Sequence, residues 1–354
     1  MVAVTATRLP DAIAGVLPFG PLADPLGAFI AAFLVANFVL ATTAVAGPWA
    51  KRKIAADFWG KVGPNRHGPY GVLIIAIDAL RLLSKENIVP EDADRPAFDL
   101  APLVMASTAL LGFAVVPMGT IFGVNVQLAD PEVGLAFVFA ASSMASLGIV
   151  MAGYASNNKF SLLGGLRAVA LTIAYEIPLV VTGASVVMLA GTLQLGGIVD
   201  AQAQPLFSIA GVTVPSWYAF VNPFAFVLFL VASLAEVGRN PFDLAEAPQE
   251  IVAGIMTEYS SVYFTLIYLS EFVHIFLGGA VVTTLFLGGP AGPVLPGFVW
   301  FVLKIWGVFL FTQWMRTTMP RVRVDQLIEI GWKGMLVLSF VNFLLVAVVL
   351  GITA

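Results

Sequence analysis

The chain has 354 residues, of which 59% are hydrophobic and 11% charged, with a formal net charge of -4 and no cysteine. A mean hydropathy of +0.95 excludes an ordinary soluble protein, and several apolar runs reach the roughly 20 residues that a helix needs to cross a bilayer. Without cysteine the chain itself holds neither an iron–sulfur cluster nor a thiolate zinc site, and two isolated histidines, His67 and His274, argue against a histidine metal centre.

Only Arg8 is basic near the N-terminus. The first apolar run, about 26–49, is too long for the core of a cleaved signal and reads as a span. The next stretch, 50–99, contains Gly63-Pro64-Asn65-Arg66-His67-Gly68-Pro69, a rigid turn. Tyr70 to Glu86 follows with helical character, placing Asp78, Arg81, Leu82 and Lys85 on one face. Its charged end makes it an interfacial helix and not a span. Seven more spans are predicted at about 100–124, 133–154, 167–193, 219–237, 260–288, 296–317 and 331–352. These runs are continuously apolar, not alternating, which disfavours a β-barrel.

The expected fold class is therefore all-α: a polytopic helical membrane protein with about eight transmembrane helices. One integral domain spans 1–354, with cytoplasmic loops at about 50–99, 155–166, 238–259 and 318–330. An even number of spans places both termini on one side. Of the 17 Lys and Arg residues, all but Arg8 and Lys304 lie in or beside those four loops. The positive-inside rule then puts both termini outside. The chain is expected in the cell membrane, and nothing in it points to nucleic acid.

Charge inside such a bundle is costly, so each ionisable group there is a functional candidate. Glu176 lies well inside the fourth span, two residues before Pro178, which cannot donate to the helix and frees a carbonyl that can host water. It is either a proton-relay carboxylate or a protonated structural glutamate. Glu236 closes the fifth span. Arg239 and Asp243 are four apart and pair if helical, or around a turn if Pro241 breaks the helix. Glu246 and Glu250 are four apart and Glu258 two turns on, so on a helix they share one side and couple their titrations. The competing reading is a solvated acidic loop. Glu271 and His274 share a face of the sixth span, His274 being more consistent with a satisfied structural hydrogen bond. Lys304, in the seventh, either extends a polar axis with Glu258 and Glu271 or snorkels outward. Lys51 to Lys53 read as headgroup and partner anchors, and Phe58, Trp59, Phe242 and Tyr259 as aromatics of the kind common at membrane edges.

Several stretches together resemble one family. They are Gly63-Pro64-Asn65-Arg66 with Gly68-Pro69, Asp78 to Glu86, Ser156-Asn157-Asn158-Lys159, Gly164-Gly165-Leu166-Arg167 and Tyr175-Glu176. Ala235-Glu236, Arg239, Pro241-Phe242-Asp243-Leu244, Glu246, Gly254, Thr257-Glu258-Tyr259, Glu271, Pro320 to Leu327 and Gly331-Trp332-Lys333 complete the set. The chain resembles the membrane-arm H subunit of proton-translocating NADH:quinone oxidoreductase, respiratory complex I. It departs from that pattern at Lys51 (acidic in the family), Lys61 (arginine), Ile74 and Leu171 (glutamines), Ala174 (serine), Pro248 (glutamate) and Val337 (proline).

The resemblance implies an enzyme subunit that helps form the quinone chamber and couples quinone reduction to proton transfer. It implies proton relay by Glu176, Glu236, Glu246, Glu250, Glu258 and Glu271, and quinone binding by Lys61, Arg66, Asp78, Arg239, Phe242 and Asp243. Quinone is then a substrate, no metal or other cofactor is bound by this chain alone, and FMN and iron–sulfur clusters belong to partner subunits. Those partners are the peripheral quinone-module subunits, the adjacent membrane subunits and the lipid bilayer. The alternative is the homologous membrane subunit of a membrane-bound hydrogenase or other donor-dependent dehydrogenase. A lone transporter would usually show an internal repeat, and the chain shows none; a purely structural anchor for a peripheral enzyme is the third rival.

Overall fold

The computed structural model describes residues 7–18, 22–209, 212–245 and 250–353. Helix α1 (Leu9–Ala14) lies against α2 (Ala23–Leu40), which continues through a π-helical turn, Ala41–Ala46, into α3 (Gly47–Phe58). The short α4 is Ile74–Leu83. Long helices α5 (Arg95–Phe113), α6 (Gly134–Ala155) and α7 (Lys159–Ala190) follow. Next come α8 (Leu195–Gln202), the single turn α9 (Tyr218–Val221) and α10 (Pro223–Glu236). The bundle closes with α11 (Ser261–Phe286), α12 (Gly297–Thr318) and α13 (Val324–Glu329), the last leading through a second π-turn, Ile330–Met335, into α14 (Leu336–Thr353). The only strands among the described residues are two small antiparallel hairpins, β1 (Thr120–Ile121) with β2 (Val124–Asn125) and β3 (Pro205–Ile209) with β4 (Val212–Pro215).

Among the described residues, seven helices are long and apolar enough to cross a membrane. Where the fifth span was expected stands a shorter apolar helix: α10 has 14 residues, about 21 Å at 1.5 Å per residue, less than the roughly 30 Å hydrocarbon core. The start of α10 adjoins the segment where Gln202 donates to the Thr284 carbonyl (2.9 Å), and its end adjoins the loop where Arg167 meets Glu250. The expected boundaries shift in a consistent direction. Helix α3 carries Lys51 to Lys53 inside it, α5 begins at Arg95 and stops at Phe113, α7 starts at Lys159, and the last connection shrinks to 319–323. Polar residues that look like loop in one dimension are helical where a neighbouring element receives them.

Local chemistry sets these boundaries. Asn158 accepts from the Phe160 amide (2.9 Å) and caps α7, Asn222 accepts from Ala225 (3.0 Å) and caps α10, and Gly191 ends α7 in the left-handed region (φ +71°). Helix α7 runs unbroken through Pro178. Helices α6 and α7 meet at glycine: a Cβ on Gly153 would lie 2.8 Å from the Ser161 carbonyl and 3.3 Å from Gly165 Cα, so only small residues permit this approach. In the turn before α4, a Cβ on Gly71 (φ +76°) would lie only 2.2 Å from the Pro64 carbonyl, so that turn closes only with glycine.

The contacts define two ends. At one, Ile88 bonds Ser260 (2.9 Å), the Asp94 amide donates to Ala155 (3.0 Å), and Asn240 donates to the Arg316 and Met319 carbonyls (3.1 Å each). At the other, Arg8 bridges to Asn125 and Gln194 donates to Asp130 (2.8 Å). Helix α14 runs parallel to α7, Gly331 packing on Ala174 and Asn342 bonding Ser185 (3.2 Å). The C-terminal end therefore lies at the same end of the bundle as Arg8.

Candidate functional site

Two cavities meet near the loop between α10 and α11. The first is a groove of about 640 Å³ at the end of the bundle. Its walls come from α3 and the residues after it (Lys51, Arg52, Trp59, Lys61), from the loop (Asn240, Asp243), and from the end of α12 (Gln313, Arg316) with Arg321 beyond it. Lys61 Nζ sits 5.5 Å from the centre of the Trp59 ring, and Lys51 Nζ about as close to Tyr268 (5.3 Å) and Phe272 (5.2 Å). Asp78 reaches this groove from behind: it pairs with Arg52 at 2.7 Å and more loosely with Arg81 at 3.9 Å. Asp243 is the one carboxylate among the lining residues. Burial first, and then the charge of Glu271, push its carboxyl above the ordinary aspartate value, against the opposing pull of Arg316, Arg239 and Arg321.

The second cavity, about 120 Å³, lies inside the bundle between α6, α7, α10 and α11 and has room for several water molecules. Glu236, Glu271 and His274 line it, with Ser142, Ser146, Ser233 and Ser270. Ser142 stands close to Glu236 and Ser143 close to Glu176, each hydroxyl donating to a carbonyl of its own helix (Phe139 and Ala140, 3.0 Å), and the two glutamates are close enough to feel each other's charge. Between groove and cavity stands Arg239, only 2% exposed. Its Nε lies 2.8 Å from Glu271 Oε1 and its guanidinium 5.0 Å from the Phe272 ring. No N–H of Arg239 is aligned for a hydrogen bond, so the contact is an ion pair without directional bonding.

This arrangement corrects several expectations. Arg239 pairs with Glu271, not with Asp243, because a turn and not a helix follows Glu236 and rotates the two residues apart. Glu250 and Glu258 do not share a helix face: apart from a 3-10 turn at Gly254–Met256, the described part of 237–260 is irregular. Glu250 is 44% exposed and bonded to Arg167 (2.6 Å) and Arg321 (2.8 Å), which in that order hold its carboxyl below the ordinary glutamate value. Glu258 accepts from the Asn158 side chain at the start of α7 and does not line the cavity. Glu246 and Pro248 lie outside the described residues. Arg66 is exposed on its turn and does not line the groove, and Phe242 is buried edge-on against Tyr175 (5.3 Å). Lys304 does not continue an axis with Glu258 and Glu271, nor does it snorkel. Its Nζ donates to the carbonyls of Leu287, Gly289 (2.8 Å) and Ala291 (2.7 Å) and lies 4.4 Å from the Trp217 ring. Of the predicted site residues, Glu236 and Glu271 line the cavity, Glu176 lies near Glu236 without lining it, and Lys61 and Asp243 line the groove.

Arg52, Arg316 and the serines of α6 were missed by sequence reasoning. Arg52 looked like a surface anchor because it stands between two lysines, yet it lies on the helix face that meets Asp78. Arg316 was readable as a cation in the last turn of an apolar helix, four residues before Pro320.

The model of the NADH dehydrogenase family matches residues 30–347. The H subunit of the NADH-quinone oxidoreductase of Dehalococcoides mccartyi (strain CBDB1) is 44% identical over 299 residues, 84% of this chain and 80% of that protein. An H subunit of the NADH-quinone oxidoreductase of Geobacter metallireducens is 43% identical over 329 residues, 92% of this chain and 97% of its own length. The H subunit of Bacillus cereus (strain B4264) is 44% identical over 309 residues, 86% and 88% of the two chains.

Proposed function

The chain belongs to the NADH dehydrogenase family that includes the H subunit of NADH-quinone oxidoreductase, and from that premise we propose how its buried charges serve the complex. It is a multi-pass membrane subunit of a complex I-type NADH dehydrogenase, with quinone as the substrate of the assembly. In our reading the groove is the membrane-side wall of the quinone site. Its volume of about 640 Å³ falls in the range of small-molecule sites, and its aromatic and cationic lining suits a flat ring that becomes anionic on reduction. The basic end of the bundle faces the cytoplasm, both termini face outward, and the whole chain forms one integral domain in the cell membrane. Peripheral subunits carrying FMN and iron–sulfur clusters dock on the groove end, and neighbouring membrane subunits and lipid cover the exposed apolar flanks of α2 and α14.

Quinone becomes quinol by taking up two electrons and two protons. As electrons arrive from the peripheral clusters, negative charge develops on the headgroup beside Lys51, Arg52 and Arg316. Asp243 gives up one of the two protons to it, and water at the open mouth of the groove supplies the other. The change in charge at Asp243 is felt by Glu271, whose only charged partner among the described ion pairs is Arg239. Glu271 then exchanges a proton through the water-sized cavity with Glu236, and Glu236 with Glu176 deeper in α7. Glu250 and Glu258 hold the loop in place, and Asp78 positions Arg52. The observation that carries this reading is that Glu271 lines the internal cavity while pairing with an arginine from the same loop that supplies Asp243 to the groove.

The test is Glu176→Gln and Glu236→Gln in the assembled complex, reconstituted in liposomes. Each substitution should slow coupled quinone reduction about tenfold or more, a barrier increase of at least about 1.4 kcal/mol, and abolish pumping with subunit composition unchanged. Normal turnover and normal pumping in both variants would refute the relay.

A further inference from the structure

We propose that His274 is a further proton-carrying residue of this path, lining the internal cavity together with Glu271 and Glu236. The inference rests on the relay reading above and adds a member whose position in the sixth span reads as structural. Its Nδ1 lies 2.9 Å from the Ser270 carbonyl oxygen. A carbonyl can only accept, so Nδ1 carries the hydrogen and, in the neutral ring, Nε2 is a bare acceptor. That Nε2 is buried and has no hydrogen-bond partner among the described residues. A histidine kept for packing would have both nitrogens satisfied or one in bulk water. Here one nitrogen is fixed to the backbone, which sets the tautomer and the ring, and the other is left open beside a polar cavity.

The surroundings fit a carrier. His274 is one turn from Glu271 on α11 and lines the same cavity as Glu236 of α10. These three are the titratable groups among its lining residues; α6 contributes serines and apolar side chains, α7 contributes Thr172 and apolar side chains, and α5 contributes Met105. Arg239 pairs with Glu271 and is not among the residues lining the cavity. One turn further along α11, a Cβ on Gly278 would lie 2.8 Å from Ser233 Oγ, so glycine lets α10 pack close to α11 beside the cavity. In each passage the ring takes a proton at Nε2 from water on the Glu271 side, becomes an imidazolium, and releases that proton from the same nitrogen toward Glu236. The bond to Ser270 stays intact throughout, and the ring ends as it began.

The experiment uses the assembled complex in proteoliposomes carrying His274→Asn, His274→Gln or His274→Ala. Asn keeps a donor toward Ser270 and removes the open ring nitrogen. Coupled turnover should fall about tenfold or more in the Asn and Gln variants, with a changed pH profile, and added imidazole should restore much of the loss in the Ala variant. If Glu236→Gln stops pumping while His274→Asn and His274→Gln keep the native rate and pH profile, this inference fails and the relay stands. A loss that keeps the native pH profile and is not restored by imidazole also overturns it, as a structural effect. If Glu236→Gln and Glu176→Gln pump normally, the relay itself fails and His274 with it. Should the Ala variant not assemble, the Asn and Gln pH profiles decide alone.

Discussion

The molecule buries two cations in opposite ways. Lys304, 8% exposed at the terminal end of the bundle, is surrounded by three backbone carbonyls and the faces of Trp217 and Trp300. Arg239, 2% exposed at the groove end, has a carboxylate for a partner and no aligned hydrogen bond. Carbonyl dipoles and ring faces do not titrate, so the surroundings of Lys304 are the same in every state of the enzyme. The partner of Arg239 can gain or lose a proton, and the energy of the pair then changes by far more than thermal energy in a poorly solvated site. Similar burial of charge thus gives surroundings that do not titrate at one end and a partner that can titrate at the other, the property the proposed relay uses.

The largest effect that would break this contrast comes from Arg239→Met. It leaves Glu271 without its cation and should destabilise the subunit by about 3–5 kcal/mol, seen as early thermal dissociation of the purified complex. Adding Glu271→Gln to that variant should recover most of the stability and none of the pumping; recovery of pumping would mean that the pair is only structural. Next is Lys304→Met, which strands three carbonyls and should cost about 2 kcal/mol in the same melting assay. Turnover per assembled complex should stay within about twofold, a change of roughly 0.4 kcal/mol in barrier; a large loss of pumping in intact complexes would place Lys304 on the proton path after all. The smallest effect sharpens the comparison at the surface. Because Arg167 and Arg321 hold the Glu250 carboxyl below its ordinary value, the pairing stabilises the protein at neutral pH and is lost as pH falls below the ordinary glutamate range through the folded value. Solvent screening limits it to about 0.5 kcal/mol. Glu250→Gln should therefore remove a slight acid sensitivity of the melting temperature and leave turnover alone.

Much of the fold could be read from the chain because membrane insertion is a one-dimensional rule: long apolar runs and the placement of Lys and Arg decide it. Eight apolar helical segments were legible, including α10, whose short length was not, since Val237 and Gly238 continue its composition while Gly238 (φ +68°) ends its geometry. The carboxylates at Glu176, Glu236 and Glu271 stood out by their surroundings alone. Their partners did not. Arg239 could be assigned to Asp243 by spacing, but the turn after Glu236 turns it toward α11, a contact 32 positions away in sequence that no local pattern encodes. The same holds for the serines of α6, which look like ordinary helix-interior hydroxyls until α7 and α10 bring glutamates to them.

The groove has a consequence for how the protein is made. Its walls are contributed by residues 51–62, 240–243 and 313–321, and Asn240 is tied to carbonyls of Arg316 and Met319. A ribosome-bound chain that has threaded its first six crossings already owns every residue of the internal cavity, yet lacks one of the three wall segments of the mouth. On the proposed reading, a partner that needs the complete mouth docks only after the seventh crossing has been laid into the bilayer.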